Sequence, residues 1–131
     1  MKFLLTAINA KFIHPNPAIY SLRAGAGEKL EPHVELAEFT INESLESILE
    51  GIWKRQPEVI GFSCYIWNIS IILEVAEEFH KLCPKVPIWV GGPEVSYEVE
   101  AFLKEHPFIT GVIIGEGEKT FSELCRYYVK G

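Results

Sequence analysis

The side chains best equipped for chemistry in this 131-residue chain gather in four short stretches. Asn9-Ala10-Lys11-Phe12-Ile13-His14-Pro15-Asn16-Pro17 brings two amides, an ammonium and an imidazole close together in sequence. Ser63-Cys64-Tyr65-Ile66-Trp67-Asn68 adds a hydroxyl, a thiol, two aromatic rings and a third amide. Gly91-Gly92-Pro93-Glu94 and Gly115-Glu116-Gly117-Glu118 complete the set. Tyr65 and Trp67 offer faces on which a planar ring stacks, or they fold back as loop core. Ser63 either reaches a ligand or satisfies a carbonyl at a chain turn, the commoner use of such a serine. Gly91 and Gly92 remove side chains where a flat, bulky group can press on the backbone, or they make a tight turn. Spacing alone leaves both glycine readings open.

Other chemistries fit poorly. His14 shares no metal-ligand spacing with a second His, Cys or carboxylate, and His33, His80 and His106 read as surface residues. A Cys64–His14 dyad would need two loops to meet, with no third group to orient the base. Gly115-Glu116-Gly117 has the look of a dinucleotide turn but lacks the third glycine and stands late in the chain, and its glutamates would repel a pyrophosphate. Glu116 and Glu118 are left to cap a helix, to accept hydrogen bonds from ligand amides or to face a partner domain. Twelve basic against eighteen acidic residues give a net charge of −6, which disfavours nucleic acid and anionic membranes as partners. No apolar run reaches the roughly 20 residues of a membrane span. The apolar start of the chain is too short for a signal peptide and reads as a buried strand. Cys64, Cys83 and Cys125, odd in number and widely spaced, suit reduced thiols in the cytoplasm.

The elements that must position these residues alternate along the chain. Apolar runs at 2–8, 59–63, 88–90 and 109–114, with a weaker one at 34–39, predict strands buried on both faces. Between them lie amphipathic stripes: Ile19, Leu22 and Ala26; Leu45, Ile48, Leu49, Ile52 and Trp53; Ile72, Val75, Ala76, Phe79 and Leu82; Val99, Phe102 and Leu103; and Phe121, Leu124, Cys125 and Tyr128. Asn16-Pro17 reads as a cap with proline at the first helical position, and Thr40 and Glu43 stand at capping-box spacing before the second helix. The sum is one α/β domain over 1–131: a five-stranded, doubly wound parallel sheet of flavodoxin-like or Rossmann-like order 2-1-3-4-5, in three α/β/α layers.

Right-handed crossovers place every βα loop on one edge of such a sheet, where ligands bind near the switch between strands one and three. The four chemistry-bearing stretches are the loops after strands one, three, four and five. The loop after strand two, Thr40-Ile41-Asn42, is only a helix cap, as suits an edge strand far from the switch point.

Taken together and in order, Asn9-x-Lys11-Phe12-x-His14-x-Asn16, Gly61-Phe62-Ser63-x-Tyr65-x-Trp67-Asn68, Val90-Gly91-Gly92-Pro93-Glu94-Val95-Ser96 and Gly115-Glu116-Gly117-Glu118 resemble the amino-terminal cobalamin-binding domain of cobalamin-dependent radical SAM proteins. The resemblance covers essentially the whole chain. It implies a corrin ring held across the carboxyl edge of the sheet, contacted by Asn9, Lys11, His14, Ser63, Tyr65, Trp67, Asn68, Gly91, Gly92, Pro93, Glu94, Gly115, Glu116 and Gly117. It also implies a radical SAM domain in cis, C-terminal to this one, that carries an iron–sulfur cluster and S-adenosylmethionine in an oxidoreductase or methyltransferase. The Cys-x-x-x-Cys-x-x-Cys motif of that domain is absent here, so the chain reads as a fragment that is not catalytic by itself.

Cobalamin modules of mutases carry Asp-x-His-x-x-Gly after the first strand, with the His as lower cobalt ligand. Asn9, Lys11 and His14 stand at those positions in this chain. An ammonium must lose a proton before it can ligate a metal, so no lower His ligand is expected at Lys11. Ser63 and Gly91-Gly92 fall on the Ser-x-Leu and Gly-Gly elements of those modules, with Tyr65 in place of Leu, which implies contacts to the nucleotide tail.

Three other readings differ in testable ways. A ligand-free docking module of the same fold would use the acidic edge to bind a barrel domain. A flavin-binding flavodoxin-like domain would want a Ser/Thr-rich phosphate loop where Lys11-Phe12-Ile13-His14 stands. A receiver domain would want an acidic pair after strand one and an Asp after strand three, and no βα loop contains Asp. Exposed aromatics at the uncovered edge leave a homodimer of the fragment open.

Overall fold

The computed structural model describes residues 2–10, 17–92, 95, 98–114 and 118–130. Strands β1 (Phe3–Asn9), β2 (Val34–Thr40), β3 (Val59–Ser63), β4 (Ile88–Gly91) and β5 (Gly111–Ile113) alternate with helices α1 (Pro17–Gly25), α2 (Leu45–Lys54), α3 (Ile69–Leu82), α4 (Val99–Glu105) and α5 (Glu118–Lys130). All strand pairs are parallel, in the order β2-β1-β3-β4-β5. This is the expected doubly wound sheet.

Side-chain alternation divides the core in two. Leu4 and Ile8 of β1 join Ile60, Phe62, Ile88 and Val90 under α2 and α3, with Ile48, Ile52, Ile72, Val75 and Phe79. Phe3, Leu5 and Ala7 face the other way, under α1 and α5, with Ile19, Phe121 and Cys125. The ring of Phe3 meets that of Phe121 edge-on, with centroids 5.0 Å apart. The α2/α3 cluster is the larger of the two.

Several local expectations need correction. Trp53 is 52% exposed and Leu82 60%, so neither belongs to the buried stripe of its helix. Trp53 stands one residue, or about 100°, round the helix from buried Ile52. Leu82 ends a 14-residue helix of about 21 Å, while the adjoining strands of 5 and 4 residues span less than about 17 Å. The cap of α2 is Ser44, whose hydroxyl accepts from the Ser47 N–H at 3.1 Å. Thr40 and Glu43 form a turn just before it, in which the Thr40 N–H donates to Glu43 Oε2 at 2.7 Å. The run at 109–114 contributes only a three-residue strand, because Ile109 N–H closes a turn on the His106 carbonyl. His33, His80 and His106 are partly buried rather than plain surface residues, and the His106 ring packs against those of Phe102 and Phe108.

Thr6 lies on the α2/α3 side of β1, between Leu4 and Ile8, fully buried, and its Oγ1 has no hydrogen-bond partner. Valine has the same shape without the unsatisfied hydroxyl. Thr6→Val is therefore expected to raise stability by about 1 kcal/mol and the melting temperature by about 4 °C. Thermal unfolding checks this, and a lowered midpoint would count against it.

The two sheet edges differ in character. At the amino edge Glu35 pairs with Lys2 Nζ at 3.1 Å and with Arg55 Nε at 3.2 Å. At the carboxyl edge the described residues include the Tyr65 and Trp67 rings and the Asn9 amide bonded to Glu38, and its βα connections hold the stretches singled out above.

Candidate functional site

Register brings the site together. Ala7 pairs with Ser63, Ser63 with Gly91 and Gly91 with Ile113, so one row crosses β1, β3, β4 and β5 on the α1/α5 face. Its first three members are small, and Ser63, 8% exposed, is the polar one. Asn9 lies one step further along the same side of β1, paired with Thr40. Ala7 drew no attention in the sequence because it looks like ordinary strand core. Its register against Ser63 places it in that row, fully buried beneath α1 and α5.

The turn after β3 is fixed by Asn68. This side chain is 1% exposed. Its Oδ1 accepts from the Tyr65 N–H at 2.7 Å, and its Nδ2 donates to the Ile8 carbonyl at 2.9 Å and the Ser63 carbonyl at 3.2 Å. The backbone of the turn closes as the Asn68 and Ile69 N–H groups donate to the Tyr65 carbonyl. Asn68 thus ties the ends of β1 and β3 to the start of α3. It positions the loop instead of presenting a free amide.

On that loop the rings of Tyr65 and Trp67 stack with centroids 4.6 Å apart and planes 3° from parallel. Trp67 stays 52% exposed and Ile66 76% exposed, so the pair does not fold back as core. It forms a preorganised apolar wall at the carboxyl edge, with part of its ring surface still accessible.

The two glycines separate in role. Gly92 has φ +114°, and a Cβ there would lie 2.2 Å from the Cys64 carbonyl oxygen. The tight-turn reading accounts for it without a ligand. Gly91 is an ordinary ladder residue whose carbonyl accepts from the Cys64 N–H at 2.7 Å, and a Cβ on it would crowd Ile113 at 3.3 Å.

On the β2 side, Asn9 Nδ2 donates to Glu38 Oε1 at 3.1 Å, and Tyr20 Oη from α1 donates to Glu38 Oε2 at 2.8 Å. This hydrogen bond, with the nearby negative charge, raises the Tyr20 pKa and keeps its hydroxyl a donor. Tyr20 and Glu38 escaped the sequence reading. Neither lies in a βα loop, and their meeting depends on how α1 crosses β2. The Thr40 hydroxyl beside Asn9 is buried and has no hydrogen-bond partner among the described residues.

Lys11, His14, Pro93, Glu94, Gly115, Glu116 and Gly117 lie outside the described residues. His33 precedes β2, His80 is in the last turn of α3 and His106 follows α4, so all three stand at the amino edge, away from this site. No group of three or more His, Cys, Asp or Glu among the described residues is placed to hold a metal ion. No disulfide joins the cysteines, and burial pushes the Cys125 thiol pKa up. Among the described residues no helix is long and apolar enough to cross a membrane. Among the described residues the carboxyl edge thus offers a stacked aromatic pair, a hydroxyl at Ser63 and, toward β2, an amide held by the Glu38 carboxylate.

Comparison with known proteins bears on the family and the fold. The profile of the B12 binding domain matches residues 4–125. The chain is 36% identical over 80 residues to the cobalamin-dependent radical SAM methyltransferase TokK of Streptomyces tokunonensis, covering 61% of this chain and 12% of that protein. It is 35% identical over 102 residues to 2-(S-pantetheinyl)-carbapenam-3-carboxylate methyltransferase of Streptantibioticus cattleyicolor, covering 78% of this chain and 14% of the relative. Among solved structures it is similar to the cobalamin-dependent S-adenosylmethionine radical enzyme OxsB with aqua-cobalamin and S-adenosylmethionine bound. The TM-score is 0.73 at 20% identity, over 97% of this chain and 19% of that one, a likeness of fold. The chain spans a small part of each of these proteins.

Proposed function

This chain belongs to the B12-binding domain family, and we propose that it holds cobalamin across the carboxyl edge of its sheet as the cofactor-carrying segment of a longer radical SAM methyltransferase. The observation that carries the reading is the stacked, partly exposed Tyr65–Trp67 pair on the loop that follows Ser63, at the edge where Ser63 and Gly91 pair at the carboxyl ends of β3 and β4. A corrinoid is a broad, flat ring with an amide-bearing rim and a nucleotide tail. An apolar aromatic wall with hydroxyl and amide groups near it fits that chemistry.

In this proposal Trp67 covers part of the ring face, Ser63 and Asn9 offer hydrogen bonds, and Asn68 holds the loop in place. The chemistry supplied by the cofactor is that of cobalt carrying an alkyl group. The iron–sulfur cluster, S-adenosylmethionine and the substrate site belong to the remainder of the longer protein, for which the cytoplasm is the proposed setting. No histidine ligand to cobalt is proposed, and the described histidines stand at the other edge.

The test is to load the domain with hydroxocobalamin, desalt it and record the visible spectrum. A retained corrinoid without imidazole coordination is expected. Trp67→Ala is expected to weaken retention roughly fivefold through lost ring contact. A wild-type domain that retains no corrinoid, either alone or within its full-length protein, would favour the ligand-free docking reading. Exposed Ile66, Trp67 and Ile114 would then supply an apolar face for the neighbouring domain. They are also the groups through which an isolated fragment would pair with a second copy.

A further inference from the structure

We infer that Glu38 is a positioning residue that orients the Asn9 amide so that the site offers a hydrogen-bond acceptor at the end of β1, selecting a carboxamide over a carboxylate on the ligand rim. The inference rests on the cobalamin reading above.

Asn9 ends β1, partly buried, and its Nδ2 is engaged by Glu38 Oε1 at 3.1 Å. Turning the amide over would bring Oδ1 against the carboxylate, two acceptors with no proton between them. The charge on Glu38 therefore favours one orientation, which turns Oδ1 away from the carboxylate as the acceptor Asn9 offers, with the second Nδ2 hydrogen beside it. No hydrogen bond to Oδ1 forms among the described residues, whereas Asn68 has both ends of its amide engaged.

Tyr20 reinforces the arrangement from outside the sheet. Its hydroxyl donates to Glu38 Oε2 at 2.8 Å, so α1 and β1 each supply a donor to the same carboxylate on β2. A Glu38 held at both oxygens has little freedom to release Asn9. An oriented acceptor next to a fixed negative charge accepts from the N–H of a primary amide and repels a carboxylate. A corrinoid carries its peripheral side chains as primary amides, and partial hydrolysis converts single amides to acids without altering the ring. Discrimination between the two forms comes from the lost hydrogen bond together with repulsion from Glu38 at this partly buried position.

The test uses cobalamin and its monocarboxylate derivatives, with binding followed by the corrin absorbance. The wild-type domain is expected to bind at least one monoacid roughly tenfold or more weakly than cobalamin. In Glu38→Gln a neutral amide sits at position 38, Asn9 is free to turn over, and the ratio is expected to fall toward one. Tyr20→Phe is expected to reduce the ratio less. Thermal unfolding of each variant separates a lost fold from lost discrimination. An unchanged ratio in a folded Glu38→Gln domain overturns the inference.

If wild type retains no cobalamin, the cofactor reading fails, and the apo-domain decides the positioning role. The Asn9 side-chain amide protons should then shift and exchange faster in Glu38→Gln than in wild type, as seen by 15N–1H NMR. Identical Asn9 signals in the two proteins overturn it.

Discussion

Asn68→Ala is expected to lower the unfolding free energy by about 3 kcal/mol, because three buried backbone groups lose their partners together. Those groups are the Tyr65 N–H, the Ile8 carbonyl and the Ser63 carbonyl. They lie where the ends of β1 and β3 meet the turn into α3, and the amide that joins them is 1% exposed, so water does not take its place. The midpoint of thermal unfolding should fall by about 10 °C. Retention of hydroxocobalamin should fall as well, because the Tyr65–Trp67 wall stands on this turn.

Asn68→Asp sharpens the test. An aspartate can still accept from Tyr65, but its second oxygen faces two carbonyls. That raises the pKa of the new carboxyl in the folded state above its unfolded value. The folded chain then binds the proton more tightly, so this variant is most stable below the unfolded carboxyl pKa of about 4 and loses stability as pH rises through the folded value. Urea unfolding at acid and neutral pH, each relative to wild type, reads this directly. An Asp variant equally destabilised at both would show that the carbonyl contacts matter little.

Gly92→Ala is expected to cost about 3 kcal/mol, from two sources that add. The backbone conformation at φ +114° is one an L side chain rarely adopts, and the new methyl would lie 2.2 Å from the Cys64 carbonyl oxygen. The obstructing atom is backbone within the turn held by Asn68, so relief requires that β3 and β4 separate at their carboxyl ends. Gly91→Ala provides the comparison: its methyl would crowd Ile113 at 3.3 Å with no conformational penalty, and a loss of about 1 kcal/mol is expected. Equal midpoints for the two variants in urea would refute the assignment of Gly92 to the turn.

The fold was legible because its strands are continuous apolar runs. The run at 59–63 coincides with β3, the central strand, and the order followed from the βα alternation. Boundaries were harder where two local signals overlap. Thr40-x-x-Glu43 and Ser44-x-x-Ser47 are both capping patterns, and only the path of the chain out of β2 decides that Ser44 caps the helix. The loops carrying the site were legible as well, but the division of labour within them was not. Asn68 stands beside Trp67 and reads like a ligand contact until its bond to Ile8, sixty residues away, is seen. Glu38 reads as the solvent side of an edge strand until Tyr20 and Asn9 are found on it. Each of these roles depends on a partner remote in sequence, which neither periodicity nor spacing encodes.

The unequal halves of the core have a bearing on how such a domain diversifies. The larger apolar cluster lies under α2 and α3, whereas the row of Ala7, Ser63 and Gly91 lies on the opposite side of the sheet. Substitutions within that row that suit a new occupant, or none, leave the principal reservoir of folding energy in place. Descendants of one ancestral chain can therefore exchange, enlarge or abandon a ligand on that side while inheriting the same architecture. The exceptions are Asn68 and Gly92, which hold the carboxyl edge together whatever sits on it, and which drift should spare even in lineages where the cargo has been lost.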